Sequence, residues 1–328
     1  MANSHILHRP TLHWPLAVRS ENVGWLFLIV SILSGATYSA FAKSLTSVFS
    51  PLSLIFVSEV LTLFFLLFSF GVIPTFRELL RVRRPMVLPL LTIALFSGTL
   101  APLLWFAGLR QTTAVNAVLF GNAELVFMLL LATMVLGERW TAGRVIAVGA
   151  IIAGIVTIAL EGFTTALHLR PGDALILLAS LSFSIGSITF RRYLRHSHPQ
   201  VAMFTRSAMA IIVFFLLSPF RVHPFIGEVE SFSLMLVPAL IGFGFVSKFL
   251  NVFSFYQTLE RLPVSTVSLF GSLGIIVSIA FSHAYLGEPI ETYHILGGIL
   301  IVAGTIILET FGLNHTREHL KQRYHHRS

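Results

Sequence analysis

The sequence predicts an all-α polytopic membrane protein with ten transmembrane helices, arranged as two inverted five-helix repeats with both termini in the cytoplasm. Three observations predict this fold class: a shortage of charge, a series of long apolar runs, and an internal repeat. Of the 328 residues, 55% are hydrophobic and 11% are charged, whereas a soluble chain carries about 25% charged residues. The mean hydropathy is +0.85. This composition argues against a water-soluble enzyme, a disordered chain or a nucleic-acid-binding module, because so much apolar surface needs a bilayer.

Ten apolar runs are each long enough to cross a membrane. A spanning helix needs roughly 20 mostly apolar residues to cover about 30 Å of hydrocarbon at 1.5 Å per residue. Helices are favoured because open sheets would leave unpaired amides in lipid. The predicted spans are Val23–Lys43, Pro51–Ile73, Met86–Leu109, Ala114–Leu136, Ala142–Leu160, Asp173–Phe190, Gln200–Phe220, Phe232–Leu259, Val264–Leu286 and Tyr293–Leu313.

The basic residues predict the orientation of these spans. If the N-terminus is cytoplasmic, sixteen Lys and Arg residues lie on the inner side: Arg9, Arg19, Arg77, Arg81, Arg83, Arg84, Arg139, Arg144, Arg191, Arg192, Arg195, Arg261, Arg317, Lys321, Arg323 and Arg327. Four lie on the outer side: Lys43, Arg110, Arg170 and Arg221. This bias places both termini inside. It also accounts for the net charge of +8, so no nucleic-acid partner is expected.

A weak internal repeat divides the chain into two halves. Lys43 matches Arg191 and Pro51 matches Pro199, at an offset of 148, while Leu136-Gly137-Glu138 matches Leu286-Gly287-Glu288 at an offset of 150. Each half holds five spans, and because five is odd the second half is inverted, as in many secondary transporters. The expected organisation is a cytoplasmic segment 1–22, a first repeat 23–160, a connecting loop 161–172, a second repeat 173–313 and a basic His-rich cytoplasmic tail 314–328.

Two copies of one motif carry a family resemblance. Residues 109–117 (LRQTTAVNA) lead to Leu136-Gly137-Glu138-Arg139, and residues 259–264 (LERLPV) lead to Leu286-Gly287-Glu288-Pro289. The chain resembles the EamA-like branch of the drug/metabolite transporter superfamily over nearly all of residues 23–313. The resemblance implies a central cavity lined mainly by the first, third, fourth, sixth, eighth and ninth spans. It also implies an exporter of small metabolites or amino acids.

Four ionisable residues fall inside predicted spans: Glu59, Glu124, Arg206 and Lys248. Each costs about 2.5–3.5 kcal/mol on insertion scales, so each needs a partner or a water-filled cavity. Glu124 lies near the middle of its span, and Lys248 lies close to helix breakers on the eighth span. One interpretation is that Glu124 and Lys248 face one cavity, where they bind a zwitterionic substrate or exchange a proton. The alternative is a structural ion pair that fixes helix packing.

Glu59 and Arg206 raise a separate question. The family often has Arg where this chain has Glu59, whereas Arg206 retains that pattern in the second half. Counted along the spans, the depths of the two residues differ by about 10 Å, so direct pairing requires long side chains or helix tilt. Either a gating contact or local structural pairing would explain them.

Glu138 and Glu288 end the fourth and ninth spans, each after a glycine. We expect each carboxylate to cap the next helix, with Thr141 or Thr292 assisting. Further candidates for the cavity are Asn122, Asn251, Tyr38 and Trp105, although membrane amides also serve as contacts between helices. Glycines on the fifth and tenth spans predict close helix contact, either within the fold or at a homodimer interface. These glycines are Gly149, Gly154, Gly297, Gly298 and Gly304.

The sequence therefore favours a secondary transporter in the cell's inner (plasma) membrane that exports a small molecule by alternating access. It has no Cys and no glycine-rich phosphate loop with its Lys, and no cofactor or metal site is expected. The alternative is a membrane-embedded enzyme acting on a lipid or isoprenoid substrate. Such an enzyme needs clustered acids or histidines, whereas the buried acids here are single and far apart. We expect the chain not to be an enzyme.

Overall fold

The structure is a computed structural model that describes residues 21–137, 140–161, 170–194, 199–220, 225–262 and 264–325. All regular elements within these ranges are helices. The predicted N-terminal segment lies almost wholly outside the described residues, as does most of the predicted connecting loop.

The first half contains six helices, α1 to α6. Several of these helices consist of two or more segments. They are α1 (Glu21–Ala36 and Tyr38–Leu45), α2 (Pro51–Phe70), α3 (Val72–Leu80), α4 (Arg84–Leu95, a π-helical turn Phe96–Leu100, and Ala101–Leu109), α5 (Ala114–Gly121 and Ala123–Leu136) and α6 (Ala142–Ala159).

The second half repeats this order with six more helices. They are α7 (Pro171–Thr189 and a π-helical turn Phe190–Leu194), α8 (Pro199–Leu217 and a 3₁₀ turn Ser218–Phe220), α9 (Phe225–Glu230), α10 (a 3₁₀ turn Leu234–Leu236, Val237–Ile241, a π-helical segment Gly242–Leu250, and Asn251–Arg261), α11 (Val264–Gly271 and Leu273–Leu286) and α12 (Thr292–His325).

Each of the ten predicted spans coincides with one of the longer helices. Among the described residues, eight helical stretches are long and apolar enough to cross a bilayer, and two further apolar stretches, Leu273–Leu286 and Thr292–Leu308, are shorter. The prediction of a helical, multi-pass membrane protein is confirmed. The short α3 and α9, which the sequence analysis did not separate from the spans and connections, are additional helices.

Helices in both halves of the chain are interrupted, and two of the interruptions are separated by the offset of the predicted repeat. The break at Asn122 in α5 and the break at Ser272 in α11 are 150 positions apart, which is the offset of the later repeat segments. Likewise α4 and α10 each contain a π-helical segment, at Phe96–Leu100 and Gly242–Leu250. Such segments arise where an extra residue enters the helical ladder, and they are frequent at functional sites.

The glycines of α6 and α12 pack against each other within one chain. A Cβ on Gly154 would lie 2.5 Å from the carbonyl oxygen of Gly297, and a Cβ on Gly304 would lie 2.7 Å from that of Ala147. These glycines therefore allow the two backbones to approach closely, and they are not available to a second copy. A Cβ on Gly149 would have no atom within 4 Å, so this glycine faces away from the seam.

One end of the helix bundle is closed by a tightly packed apolar core. Leu45, Leu54, Phe106, Leu109 and Phe243 are fully buried there and belong to one continuous cluster. The Lys43 Nζ atom donates hydrogen bonds to the carbonyl oxygens of Leu109 and Thr112, where α4 ends. A cation at a helix C-terminus stabilises the unpaired carbonyls. This end, where α4 ends and α5 begins, is called the Lys43 end below.

Candidate functional site

A buried ion pair lies about halfway along the helices. Lys248, in the π-helical segment of α10, donates a 2.8 Å hydrogen bond from Nζ to Oε1 of Glu59 on α2. The two side chains are only 13% and 6% exposed. Opposite charges in such a low-dielectric environment need a partner, and the pairing of Glu59 with Lys248 supplies one for each.

The second carboxylate oxygen of Glu59 is also occupied. Ser207 on α8 donates a 2.7 Å hydrogen bond to Oε2 of Glu59. Its neighbour Arg206 donates from Nη2 to the carbonyl oxygen of Ser97, at 3.1 Å, in the π-helical turn of α4. The buried Nε of Arg206 has no hydrogen-bond partner among the described residues. Arg206 is therefore anchored at one nitrogen and keeps unused donors.

These charged residues line a cavity of about 240 Å³. Its wall is formed by α1, α2, α4, α7, α8 and α10. The lining residues are Tyr38, Glu59, Thr62, Pro102, Phe183, Met203, Arg206, Ser207, Ser247, Lys248, Asn251 and Val252. The resemblance implies a contribution from the fourth and ninth spans, but the corresponding helices α5 and α11 line a neighbouring cavity of about 310 Å³ instead. Asn251 borders both spaces.

Glu124 lies apart from the ion pair. It is at the start of the second part of α5, and its Oε1 accepts a 3.3 Å hydrogen bond from Ser187 on α7. It does not line the 240 Å³ cavity. The sequence interpretation placed Glu124 and Lys248 on one cavity, whereas the structure places Lys248 against Glu59. Depth along a helix does not reveal which neighbour the side chain meets.

Glu59 and Arg206 do not form a direct salt bridge, yet they lie at the same level of the bundle. Ser207, adjacent to Arg206, reaches Glu59 directly, and the guanidinium is near enough to interact electrostatically with that carboxylate. The separation in depth expected from counting residues is therefore wrong. The packed pair α2 and α8 brings the two positions together, and such tilt and contact are set by tertiary packing.

Aromatic side chains form one wall of the cavity. The ring centroid of Tyr38 lies 5.1 Å from that of Phe243 and 6.4 Å from that of Trp105. Trp105 in turn lies 6.3 Å from Phe183, and its ring covers Gly121, where a Cβ would come within 2.6 Å of it. The indole Nε1 is buried and has no partner among the described residues. Tyr38 lines the cavity directly, whereas Trp105 lies behind Tyr38 and Phe183.

The two candidate asparagines have different surroundings. Asn251 donates a 2.8 Å hydrogen bond from Nδ2 to the carbonyl oxygen of Ser31, which ties α10 to α1. Asn122 donates to the carbonyl oxygen of Val118, one turn earlier in its own helix, at 2.7 Å. Asn251 thus joins two helices and also lines the cavity. Asn122 instead bonds a carbonyl oxygen of its own helix, next to the interruption in α5.

Glu288 caps a helix in the other half of the chain. Its two carboxylate oxygens accept hydrogen bonds from the backbone N–H groups of Ala114 and Val115, at 2.8 and 2.9 Å. The expectation that Glu288 caps the next helix, α12, is therefore wrong. At the Lys43 end, the packing of the helices places the start of α5 against this carboxylate, so α5 is capped instead. Thr141 does cap its own helix α6, accepting from the N–H of Arg144. Glu138 lies outside the described residues.

A polar network beside this cap was not expected from the sequence. His294 Nδ1 accepts from the N–H of Glu291, and its Nε2 contacts Oδ1 of Asn116 at 2.9 Å. Asn116 and Thr112 both donate to Oδ1 of Asp173. The network joins α5, α7 and α12 to the connection between α4 and α5 at the Lys43 end. Among the described residues no three His, Asp or Glu side chains converge as metal ligands.

Sequence reasoning also missed several uncharged residues of the cavity. Ser207 carried a usable signal, because it follows Arg206 directly and lies 148 positions after Glu59, the offset of the earlier segments of the predicted repeat. Thr62 lies three residues after Glu59 and is expected on the same helix face. Phe183 and Ser247 carried no comparable signal, since small and aromatic residues are common in membrane helices.

Comparison with known proteins agrees with this architecture. The profile of the EamA-like transporter family matches residues 22–160 and 170–310. A crystal structure of another protein has a TM-score of 0.60 with 18% identity, covering 88% of this chain and 96% of that chain, which shows the fold alone.

A bacterial and an archaeal relative are both described as uncharacterized transporters. YyaM of Bacillus subtilis is 22% identical over 292 residues, which cover 87% of this chain and 92% of that protein. A protein of Methanothermobacter thermautotrophicus is 26% identical over 231 residues, covering 70% of this chain and 66% of that protein. The family profile covers both halves of the chain and most of its length, and the chain belongs to the EamA-like transporter family.

Proposed function

We propose that this protein is a secondary transporter that exports a small metabolite or amino acid by alternating access around the 240 Å³ cavity. The observation that carries the proposal is the group of charged side chains that line this cavity. Membrane helices place Glu59, Lys248 and the partly unpartnered Arg206 around one polar space. Ionisable groups at such depth are costly and are characteristic of substrate and ion pathways.

The helix interruptions support a moving site. The π-helical segment of α10 supplies Lys248 to the cavity, and the π-helical turn of α4 supplies the carbonyl oxygen of Ser97 that anchors Arg206. Irregular backbone at membrane depth is tolerated where it is buried in protein or lines a cavity, and interrupted helices around a central site are typical of secondary transporters. In the proposed cycle, the Lys43 end opens while the opposite end closes.

The proposed roles follow from placement. Lys248, Asn251 and Tyr38 contact the substrate, and Trp105 supports Tyr38. Glu59 and Arg206 hold the two halves at the level of the cavity. Glu124, which has only a neutral partner in Ser187, is the residue proposed to exchange a coupling proton. Asn122 allows the α5 helix to bend. Glu288 caps the start of α5. We propose that Glu138 likewise caps the start of a helix.

The orientation belongs to the same proposal. Ten spans across the plasma membrane, with both termini in the cytoplasm, agree with the distribution of Lys and Arg. A homodimer, if formed through α6 and α12, would use their outer faces, since the glycine seam is occupied within the chain. Neither the family profile nor the relatives support a lipid-modifying or isoprenoid-modifying enzyme.

The test is flux through the purified chain in liposomes. Separate vesicle preparations are each loaded with one unlabelled amino acid or small metabolite from a panel. Each preparation is diluted into a trace amount of the same compound in labelled form, with and without a pH gradient. Exchange of at least one compound is expected with the wild type, and Lys248→Met is expected to abolish it. Export is read from uptake into inside-out vesicles prepared from cells. Equal flux with Lys248→Met and wild type would remove the cavity from the mechanism.

A further inference from the structure

The cavity carries one positive charge that no described protein group neutralises by direct contact. Lys248 is paired with Glu59 through a 2.8 Å hydrogen bond, so their charges cancel. Arg206 forms no salt bridge with any described residue, and its side-chain contact is the neutral carbonyl oxygen of Ser97. Glu124 is near enough for its charge and that of Arg206 to interact, but it is outside the cavity wall and bonded to Ser187.

Arg206 also has N–H donors that are not used in this contact. A guanidinium has five N–H donors in a fixed planar fork, and the hydrogen bond from Arg206 to Ser97 uses one nitrogen, Nη2. Its Nε is buried without a partner among the described residues. A buried donor left without an acceptor is destabilising, which indicates a place for a water, an ion or a ligand.

We infer that Arg206 is the binding group for a carboxylate, so that the transported substrate is a small organic monoanion. This inference rests on the proposed function and names its substrate class. The planar guanidinium matches a carboxylate in a bidentate arrangement. A singly charged anion neutralises the single surplus charge, whereas a doubly charged phosphate would bring one uncompensated charge into the membrane.

The same site disfavours a zwitterionic amino acid. An ammonium group needs acceptors, and Glu59 is the single carboxylate among the residues that line the cavity. Both of its oxygens are occupied, Oε1 by Lys248 and Oε2 by Ser207. A substrate amine would have to displace Lys248 and leave that ammonium unpaired. The monoanion requires no such rearrangement.

The absence of cysteine in the chain gives a direct test. Thr62 lines the cavity, and Thr62→Cys introduces the single thiol of the protein. In proteoliposomes, its modification rate is measured with a negatively charged ethylsulfonate methanethiosulfonate and a positively charged trimethylammonium analogue. We expect the anionic reagent to be favoured relative to its rate with free thiol. Adding Arg206→Gln should lower that preference roughly tenfold, from the loss of one charge at short range.

Two matched variants sharpen the test. Arg77→Gln removes a charge from an exposed position on α3 and should leave the preference unchanged. Arg206→Lys retains the charge without the planar fork, so it should keep the reagent preference but lose protection by carboxylates. Acetate and benzoate are tested for protection of the thiol against modification, with acetamide and benzamide as neutral controls. Inorganic phosphate and glycine, at equal ionic strength, are the competing classes of ligand.

The outcomes separate the two levels of the proposal. Protection by acetate or benzoate, absent in Arg206→Gln and Arg206→Lys, supports the carboxylate site. Protection by phosphate or glycine but not by the carboxylates would overturn it, as would protection by none of the probes or a preference for the cationic reagent. If neither reagent modifies Thr62→Cys in any variant, the cavity is not open to water, and the proposed transport function fails instead.

Discussion

Ser207 and Glu59 are 148 residues apart in the chain, on α8 and α2, and they are joined by a 2.7 Å hydrogen bond. A position can contact its own equivalent only near the axis that relates the halves. The offset of 148 is that of the predicted repeat, so in the proposed inverted repeat the ion pair with Lys248 and the cavity would lie next to this axis, where a movement of one half against the other changes the contacts most directly. The charge in the first half and the hydroxyl in the second make this contact asymmetric.

Breaking the ion pair on one side should destabilise the protein. Glu59→Gln leaves Lys248 without a counter-ion in a buried site, and loss of one partner of a buried pair costs about 3–5 kcal/mol. The measurement is thermal unfolding of the purified protein in detergent. Glu59→Gln combined with Lys248→Met should recover much of the loss, because no unpaired charge remains.

The exposed pair Glu78–Arg81 provides the control for this experiment. Its donor–acceptor distance of 2.7 Å is similar, but the Arg81 side chain is 65% exposed. Glu78→Gln should therefore change stability by less than about 1 kcal/mol. A loss in the double variant as large as in Glu59→Gln alone would contradict the ion-pair explanation.

Removing the cap made by Glu288 should loosen the start of α5. Glu288→Ala leaves the N–H groups of Ala114 and Val115 without their acceptor, and the loss of a helix cap costs about 0.5–2 kcal/mol. Glu288→Gln retains one acceptor oxygen and should fall between Ala and wild type. Thermal unfolding measures the order, with Glu291→Gln as the control because that side chain is exposed. Equal stability of all three variants and the wild type would refute the cap's contribution.

Glycine substitutions on α6 should have opposite effects at two positions five residues apart. Gly154→Ala places a methyl group 2.5 Å from the carbonyl oxygen of Gly297, which forces α6 and α12 apart at a cost of about 1–3 kcal/mol. Gly149→Ala meets no atom within 4 Å and should be neutral, or stabilising by up to about 1 kcal/mol from helix propensity. Both are read from thermal unfolding. The packing seam would be misplaced if the two substitutions had the same effect.

Glu124→Gln tests the proposed coupling role. The amide can still accept the hydrogen bond from Ser187, but it cannot exchange a proton in the transport cycle. We expect accumulation driven by a pH gradient to be lost, while exchange of labelled for unlabelled substrate continues. Ser187→Ala, which removes the hydrogen bond but keeps the carboxylate, should retain the pH dependence. Unchanged pH-driven accumulation with Glu124→Gln would assign coupling to another group.

The sequence was sufficient for the helices but not for their side-chain partners. Long apolar runs and short charged connections identified the helical stretches, because a bilayer imposes a minimum length on each. Lys248 was recognised as costly, but its partner is on α2, and the identity of neighbouring helices is decided by tertiary packing. Glu288 was recognised as a cap, but sequence proximity suggested α12, whereas the fold brings α5 to it from 174 positions away. The repeat offset held information that would have paired Glu59 with Ser207.

The contact of Glu288 with the start of α5 also constrains how the two halves depend on each other. One partner of this contact lies in each half of the chain, so a chain cut between the halves would leave a helix start in one fragment and its acceptor in the other. Co-expressed fragments could restore the contact by associating. A fragment expressed alone could satisfy it only by borrowing the missing group from a second molecule. Each half of this protein is thus built as a partner and not as an independent unit.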